Sequence, residues 1–419
     1  MKILIVTRCF FPHGDAGSAV VFNLAEALTE KKNEIEVLAL THYPDDEKVS
    51  TWNNINIHNV YCAEVIPKEQ LKQAFKKKPI KIGWILVKKI MWKIYGKLRP
   101  KYRQLSINPL LASKFKKAIS TEVRRKKYDL CVITMMPHEA VWAVHELQNK
   151  GIITTPHIVL QNDTYWDQQA LPVGYKEERF DFEKEVAMRS LFVMTTPQVY
   201  FSDTRKHPDM GKKMIISEFP MVKRQRYDVH SGHNADGMWH CVFLGRLYPL
   251  IRPPEKIIKV IARIKDENVV FDFYGARQDL ITSSEYYSAA KGKLNLYGEV
   301  ETEMAIKKRT EADALVNIDN TNLTQVPSKL FEYISTCKPI INFYFDDRSP
   351  SLDYLRRYPA CLNINVNKDV DYDEISNFFM SLNKISIDFD KVKELFLKNT
   401  PEYVTNQLLE EYAERINKI

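Results

Sequence analysis

The segment that most restricts the fold is Ala314–Asn342, in which an apolar run, a loop, a helix and a second apolar run follow one another. Ala314–Ile318 reads as a buried strand. Ser328–Thr336 reads as a helix with Leu330, Phe331 and Ile334 on one face, and a further strand starts at Pro339. In an open parallel sheet the loop before such a helix lies at the carboxyl end of the strands, and the first free N–H groups of the helix face outward. Ser328 is placed to cap that helix. Lys329 then stands in the first turn, the unfavourable end of the helix dipole for a cation. A bound phosphate accounts for that placement, and Glu332, one turn on, is an acceptor for vicinal hydroxyls such as those of a ribose. Phosphate donors followed by a diol acceptor point to a nucleotide.

The rest of the chain repeats the alternation. Lys2–Thr7, Glu34–Leu40, Tyr128–Thr134, Ile158–Leu160, Leu191–Thr196 and Lys213–Ser217 are short apolar runs separated by helical patterns. The pattern stops at the polar, turn-rich stretch Lys223–Gly237 and restarts with His240–Gly245, Val269–Tyr274 and Leu294–Tyr297. A chain of 419 residues exceeds one compact core. We therefore expect an α/β protein of two Rossmann-like domains, 1–222 and 238–397, with a linker at 223–237. A helical tail from Val392 to Ile419 has the length for residues 398–419 to return to the first domain. The G-x-G-x-x-G fingerprint is absent, which argues against a nicotinamide enzyme.

No apolar run approaches the roughly 18–20 residues of a spanning helix, and Lys2 leads directly into a strand without a signal-peptide pattern. The six cysteines are scattered without a C-x-x-C pair, so reduced thiols and a cytoplasmic location are expected. Asp371–Asp373 and Asp388–Asp390 have D-x-D spacing but lie outside the context of a metal-holding motif. Neither a metal nor another cofactor is expected.

The net charge of +8 is localised. Of 61 Lys+Arg and 53 Asp+Glu, 20 and 2 lie between Pro67 and Lys127, a balance of +18 against −10 for the remainder. Within this insertion Ile80, Trp84, Val87, Met91, Ile94 and Leu98 recur at spacings of four and three, one apolar seam on a helix. Lys81, Lys88, Lys89, Lys93 and Lys97 lie off it. With Trp84 and Trp92, this is the composition of an element attracted to an anionic membrane surface. The alternative is a seam packed on the first domain with solvated lysines. No base-reading motif accompanies the charge, so nucleic acid is not expected.

Several polar residues fall at strand ends, where α/β enzymes keep their chemistry. His138 follows the strand Tyr128–Thr134. Asp163 follows Ile158–Leu160, where it either orients an acceptor hydroxyl or caps the next helix. Gly14 and Gly17 follow the first strand and allow close approach of backbone to a ligand. Arg246 and Arg252 follow His240–Gly245, and guanidinium forks suit phosphate oxygens.

The stretch PSKLFEY-x4-KPII resembles the donor-site signature of retaining GT-B glycosyltransferases of the family-4 type, and the likeness runs through the chain in order. It implies two Rossmann-like domains facing across a cleft, with the C-terminal helix crossing back to the N-terminal, acceptor-binding domain. It also implies sugar transfer from a nucleotide-diphosphate donor to a glycan or polyprenyl-linked acceptor. By this resemblance Pro327, Ser328, Lys329 and Leu330 meet the diphosphate, Glu332 meets the ribose, and Arg246 and Arg252 clamp the phosphates. Gly245 closes the first strand of the donor domain, and Gly298 and Val300 flank the segment whose backbone reads the base. Gly14 and Gly17 approach the sugar, and His138 and Asp163 lie near sugar and acceptor. The implied role is bacterial surface polysaccharide synthesis, peripheral at the inner face of the membrane. Two positions depart from the pattern: Thr324 stands where the family has its first glutamate, and Cys337 where it commonly has glycine. The alternatives are a nucleotide-sugar epimerase and a catalytically silent binding subunit on the same fold.

Overall fold

The structure, a computed structural model, describes residues 1–12, 16–41, 46–65, 79–168, 171, 174–225 and 236–418. The chain divides into two compact units, Met1–Pro220 with Pro401–Ile419, and Met221–Thr400. The first crossing thus precedes the polar stretch 223–237, because the Met221 and Val222 N–H groups donate to the Asn399 carbonyl of the second unit. Residues 226–235 of that stretch lie outside the described residues.

In the first unit, β1 (Lys2–Thr7), β2 (Glu34–Thr41), β3 (Val49–Trp52), β4 (Ile55–Tyr61), β5 (Leu130–Thr134), β6 (His157–Gln161), β7 (Val193–Thr195) and β8 (Met214–Ile216) form one sheet. Its order is β3-β4-β2-β1-β5-β6-β7-β8. The β3–β4 pair is antiparallel and the other pairs are parallel. Continuous apolar runs suit these strands because both faces are covered. Alternate side chains of β1 divide between two cores: Leu4 and Val6 join one, Ile3 and Ile5 the other. The second core is closed by Val404 and Leu408 of the helix Pro401–Ile416. That helix is separate from Phe389–Leu395, so the tail expected as one helix from Val392 is two, parted at Pro401.

In the second unit, β9 (Trp239–Leu244), β10 (Val269–Tyr274), β11 (Leu294–Gly298), β12 (Ala314–Ile318), β13 (Ile340–Tyr344) and β14 (Cys361–Asn365) form an all-parallel sheet. Its order is β11-β10-β9-β12-β13-β14. The direction of winding reverses between β9 and β12 here, and between β1 and β5 in the first unit. Such switch points splay adjacent strand-end loops apart and leave a crevice for a ligand. The two aspartate pairs with D-x-D spacing have an ordinary explanation. Asp371 and Asp388 are N-caps, accepting from the N–H groups of Asp373 and Glu374, and of Asp390, respectively.

Candidate functional site

The second unit's switch point brings together the loop after β9 and the loop after β12. Lys329 opens the helix Lys329–Ile334, and its ammonium donates to the carbonyl of Leu244, the last residue of β9, at 2.9 Å. Tyr333, one turn later, places its hydroxyl 3.2 Å from the Leu244 N–H and accepts from it. Arg252 donates from Nε to Asn320 Oδ1 at 2.9 Å, which ties the loop after β9 to the end of β12. Asp319 stands behind this pair and accepts from Ser351 Oγ at 2.7 Å and from Ser349 Oγ.

Burial pushes the Lys329 and Arg252 pKa values down, and each cation lies within electrostatic reach of the other. Lys329 donates to a neutral carbonyl and to no carboxylate among the described residues. Glu332, which could neutralise it, is engaged by Arg309 at 2.5 Å. Three cations, Lys329, Arg252 and Arg309, therefore stand against the carboxyl groups of Glu332 and Asp319. A half-buried surplus of positive charge at strand ends is suited to an anion of several charges.

Two expectations for this site need correction. Ser328 precedes the helix but its side chain makes no cap bond, because its backbone is already helical at φ −58°, ψ −29°. The Leu330 N–H is not free for a phosphate: it donates to the Pro327 carbonyl at 3.0 Å, and Phe331 N–H donates to Ser328 at 3.1 Å. The tight turn after Pro327 thus consumes donors that an ideal helix start would leave open. Arg246 is exposed and makes a 3.5 Å contact with Glu299, so of the two arginines Arg252 is the one held beside Lys329.

Thr324 donates from its N–H and its hydroxyl to Asn322 Oδ1, at 2.7 and 2.6 Å, an Asx turn within the loop. Cys337 has φ +58°, the left-handed conformation after a helix that glycine adopts without strain.

Gly245 and Gly275 directly follow β9 and β10, and Gly298 ends β11. The Gly275 N–H donates to the Gly298 carbonyl at 2.6 Å. A Cβ on Gly275 would lie 1.8 Å from the Gly245 carbonyl oxygen, at a φ of +138°. Gly275→Ala is therefore expected to cost about 3 kcal/mol or more in a denaturant melt. Gly292→Ala, where a Cβ meets nothing within 4 Å, should be nearly neutral. Similar losses for both would discount the strand-end glycines. Gly298 also donates its N–H to Gln278 Oε1 at 3.0 Å, and Val300 lies in the loop beyond.

A cavity of about 320 Å³ elsewhere in this unit is lined by Asp236, His240, Asp272, Tyr274, Tyr297, Lys308 and Glu311. Its three carboxylates make it a poor place for a diphosphate.

In the first unit, β5 and β6 are parallel neighbours, so His138 and Asp163 both follow carboxyl ends of the sheet. The His138 ring is buried, lies against Tyr165 with ring centroids 4.0 Å apart and planes tilted by 45°, and has Nδ1 2.9 Å from the Met135 carbonyl and Nε2 3.2 Å from Gln168 Oε1. Burial lowers its pKa to about 4. The ring is therefore neutral at physiological pH, and its single N–H donates to one of the two oxygens it faces, the Met135 carbonyl or Gln168 Oε1. Asp163 lies in the turn after β6 and does not cap the next helix, whose N-cap is Tyr175. That turn is held by Glu183, which accepts from the Tyr165 and Trp166 N–H groups at 3.2 and 3.0 Å. Gly17 lies in the first turn of the helix Ala16–Glu30, and Gly14 lies outside the described residues.

Glu36, His58 and Glu122 bring one ligand atom each within 4.8 Å of one another, the spacing of a metal site. Their carboxylates already accept from Arg125, Lys126 and Tyr128. Burial raises the Glu36 pKa, but Lys126 and Tyr128 outweigh it and hold the group at about 2. The cluster fits a satisfied ion network better than a dication.

Sequence reasoning missed Arg309, Asp319, Asn320, Gly275 and Glu183. The repeated endings HCVFLG, VVFDFYG and LNLYG mark all three strand-end glycines in the sequence. The Asp319-Asn320 pair directly after an apolar run is a similar signal, whereas nothing separates Arg309 from Lys307 and Lys308.

No protein-family model and no curated protein matches the chain. Solved structures do. Sucrose-phosphate synthase from Thermosynechococcus elongatus is 13% identical with a TM-score of 0.63, covering 100% of both chains. The catalytic domain of starch synthase IV from Arabidopsis thaliana, bound to ADP and acarbose, is 11% identical with a TM-score of 0.60 over 99% of each chain. A putative UDP-N-acetylglucosamine 2-epimerase from Listeria monocytogenes is 9% identical with a TM-score of 0.57, covering 100% of this chain and 97% of its own. The fold is GT-B. Within it the β9/β12 switch point of the second, Rossmann-like unit is where Lys329 and Arg252 converge.

Proposed function

We propose that this GT-B protein transfers a sugar from a nucleotide-diphosphate donor to a glycan or lipid-linked acceptor, with retention of configuration. The observation that carries the reading is the half-buried Lys329–Arg252 pair at the second unit's switch point, which among the described residues has Asp319 and Glu332 within electrostatic reach but no carboxylate bonded to either cation. As the bond between the anomeric carbon and the diphosphate breaks, negative charge grows on the departing oxygen. Fixed cations there stabilise the transition state more than the ground state. The acceptor oxygen bonds to the same carbon on the same face, and its proton passes to the departing phosphate oxygen. The charge is met by side chains, and no metal is invoked. Glu332 takes the ribose once nucleotide competes with Arg309 for it. Neutral His138 serves as a hydrogen-bonding group near the sugar and Asp163 as the acceptor-side carboxylate. A bacterial surface polysaccharide is the proposed product and the cytoplasm the proposed compartment.

A silent binding subunit is the second reading, favoured by Thr324, whose hydroxyl is turned to Asn322 where a carboxylate would face the sugar. Incubation with UDP-, GDP- and dTDP-sugars, with and without polyprenyl-linked acceptors, separates these readings. Acceptor-dependent release of a nucleoside diphosphate, with the anomeric configuration kept by NMR, is the expected result. Saturable binding without turnover supports the silent subunit. An epimerised donor sugar supports the isomerase seen among the structural relatives.

A further inference from the structure

The basic helix Pro79–Leu98 presents an exposed apolar face that no other element among the described residues covers. Trp84, Met91 and Leu98 are 65%, 62% and 76% exposed, and Val87, Ile90, Ile94 and Tyr95 are exposed beside them. These seven are a large share of the nineteen exposed large apolar side chains among the described residues. The helix is held through its opposite side. Ile85 is buried, and Ile82 and Leu86 pack with it against Tyr61 and Ala63. Trp92 packs on the large core of the first unit, so it belongs to the inner side and not to the exposed patch. Gly96 lies against the Pro109 ring, where a Cβ would meet it at 3.2 Å. The seam residues Trp84, Val87, Met91, Ile94 and Leu98 therefore point outward, the Ile80 side chain lies outside the described residues, and a different set of residues anchors the helix.

At 3.6 residues per turn the exposed apolar residues cover an arc of about 140° along about 20 Å of helix. Lys88 borders one edge of that arc, and Lys93 and Lys97 border the other. These three lysines are exposed and form no ion pair among the described residues, and the helix itself contains no acidic residue. The Lys81 side chain lies outside the described residues, and Lys89 falls on the inner side of the wheel.

We infer that this face docks on an anionic lipid surface, with Trp84, Met91, Ile94 and Leu98 entering the acyl boundary and the flanking lysines meeting the headgroups. Two observations select that occupant. The strip has no central polar group for a protein partner to bond, and its long lysine stems can reach outward from both edges while their ammonium groups stay in water. A second copy of the chain would bring the two sets of lysines together with no carboxylate on either helix to offset them. Among the described residues no helix is long and apolar enough to cross a membrane, so the contact is interfacial. It does not depend on the sugar-transfer reading, and its test does not use activity.

The experiment is flotation of the full chain with vesicles of phosphatidylcholine, with or without one-third phosphatidylglycerol. We expect flotation with the anionic vesicles only, reversed by high salt. Brominated lipid should quench tryptophan fluorescence in the wild type and much less in Trp84→Phe. Met91→Glu/Ile94→Glu and Lys88→Glu/Lys93→Glu/Lys97→Glu should each lower the apparent partition coefficient about tenfold or more. All these positions are exposed, and unchanged thermal melts would confirm that the variants are folded. Lys398→Glu, on the other unit, serves as a control and should float like the wild type. The inference is overturned if the wild type stays with the soluble fraction, if both multiple variants float undiminished, or if sedimentation shows a dimer that Met91→Glu/Ile94→Glu dissolves.

Discussion

Lys329→Ala is expected to lower kcat/KM for the donor by about 10²–10³-fold, the loss typical of removing one preorganised donor from a site of developing negative charge. The substitution has a second consequence that must be measured beside it. The Leu244 carbonyl loses its 2.9 Å partner and keeps the longer 3.4 Å bond from the Tyr333 hydroxyl, so the loss of one buried hydrogen bond costs about 0.5–1.5 kcal/mol of stability. A melt therefore has to accompany the kinetics, and activity is compared where both proteins are folded. Arg252→Ala should give a loss of the same order. Arg252→Lys should recover part of it, since the charge remains while the fork and the Nε bond to Asn320 do not. Arg309→Ala should act differently, because Arg309 meets Glu332 and not the phosphates in this reading. With that competitor removed, Glu332 is open to the ribose, so the donor KM should fall while kcat changes little. If folded Lys329→Ala and Arg252→Ala both turn over within twofold of the wild type, the anion site lies elsewhere and the proposed function fails with it.

How much of this was legible in the sequence depends on where the information is stored. Strands buried on both faces announce themselves residue by residue, so Lys2–Thr7, Val269–Tyr274 and Ala314–Ile318 are found at the positions read from the apolar runs. Lys329 was legible for the same reason: it follows a loop whose place is set by the strands on either side. Hydrogen bonds inside that loop were not. Whether Leu330 N–H is open or folded back on Pro327 depends on a turn that the residue types do not dictate. The basic helix shows a different limit. Its 3.6-residue period was visible, but two faces carry apolar side chains, and only the contacts of Ile85 with Ala63 and of Trp92 with the core decide which is inward. Arg309 reaches Glu332 across 23 positions. No local pattern encodes a pairing of that kind.

His138 and His157 should remain neutral in the folded protein well below the pH at which a free imidazole protonates, and this predicts a steep acid dependence that can be assigned to each ring. Burial lowers both pKa values from 6.5 to about 4. Between those values the unfolded chain binds a proton on each histidine and the folded chain does not. The associated stability is present in full above about pH 6.5 and is lost as pH falls to about 4, by about 3 kcal/mol per ring. Other buried groups act with the opposite sign. Glu183 and Asp203, a contacting pair, both have raised pKa values, Glu183 well above the usual carboxylate range, chiefly through burial. They favour the folded state as pH falls toward the ordinary carboxylate range. The net curve of the wild type is therefore a competition, and the informative quantity is a difference. His157→Asn changes a ring at the start of β6 whose Nδ1 lies 3.0 Å from Gln148 Nε2, away from the proposed sugar and acceptor groups. Whatever constant offset it introduces, its urea stability should fall by about 3 kcal/mol less than the wild type's between pH 6.5 and 4. NMR of ring-labelled histidine should show the same two imidazoles titrating near pH 4 in the native protein. Parallel stability curves for wild type and His157→Asn, or native titration near 6.5, would mean that the rings are solvated, and a neutral His138 at the candidate site would then be untenable.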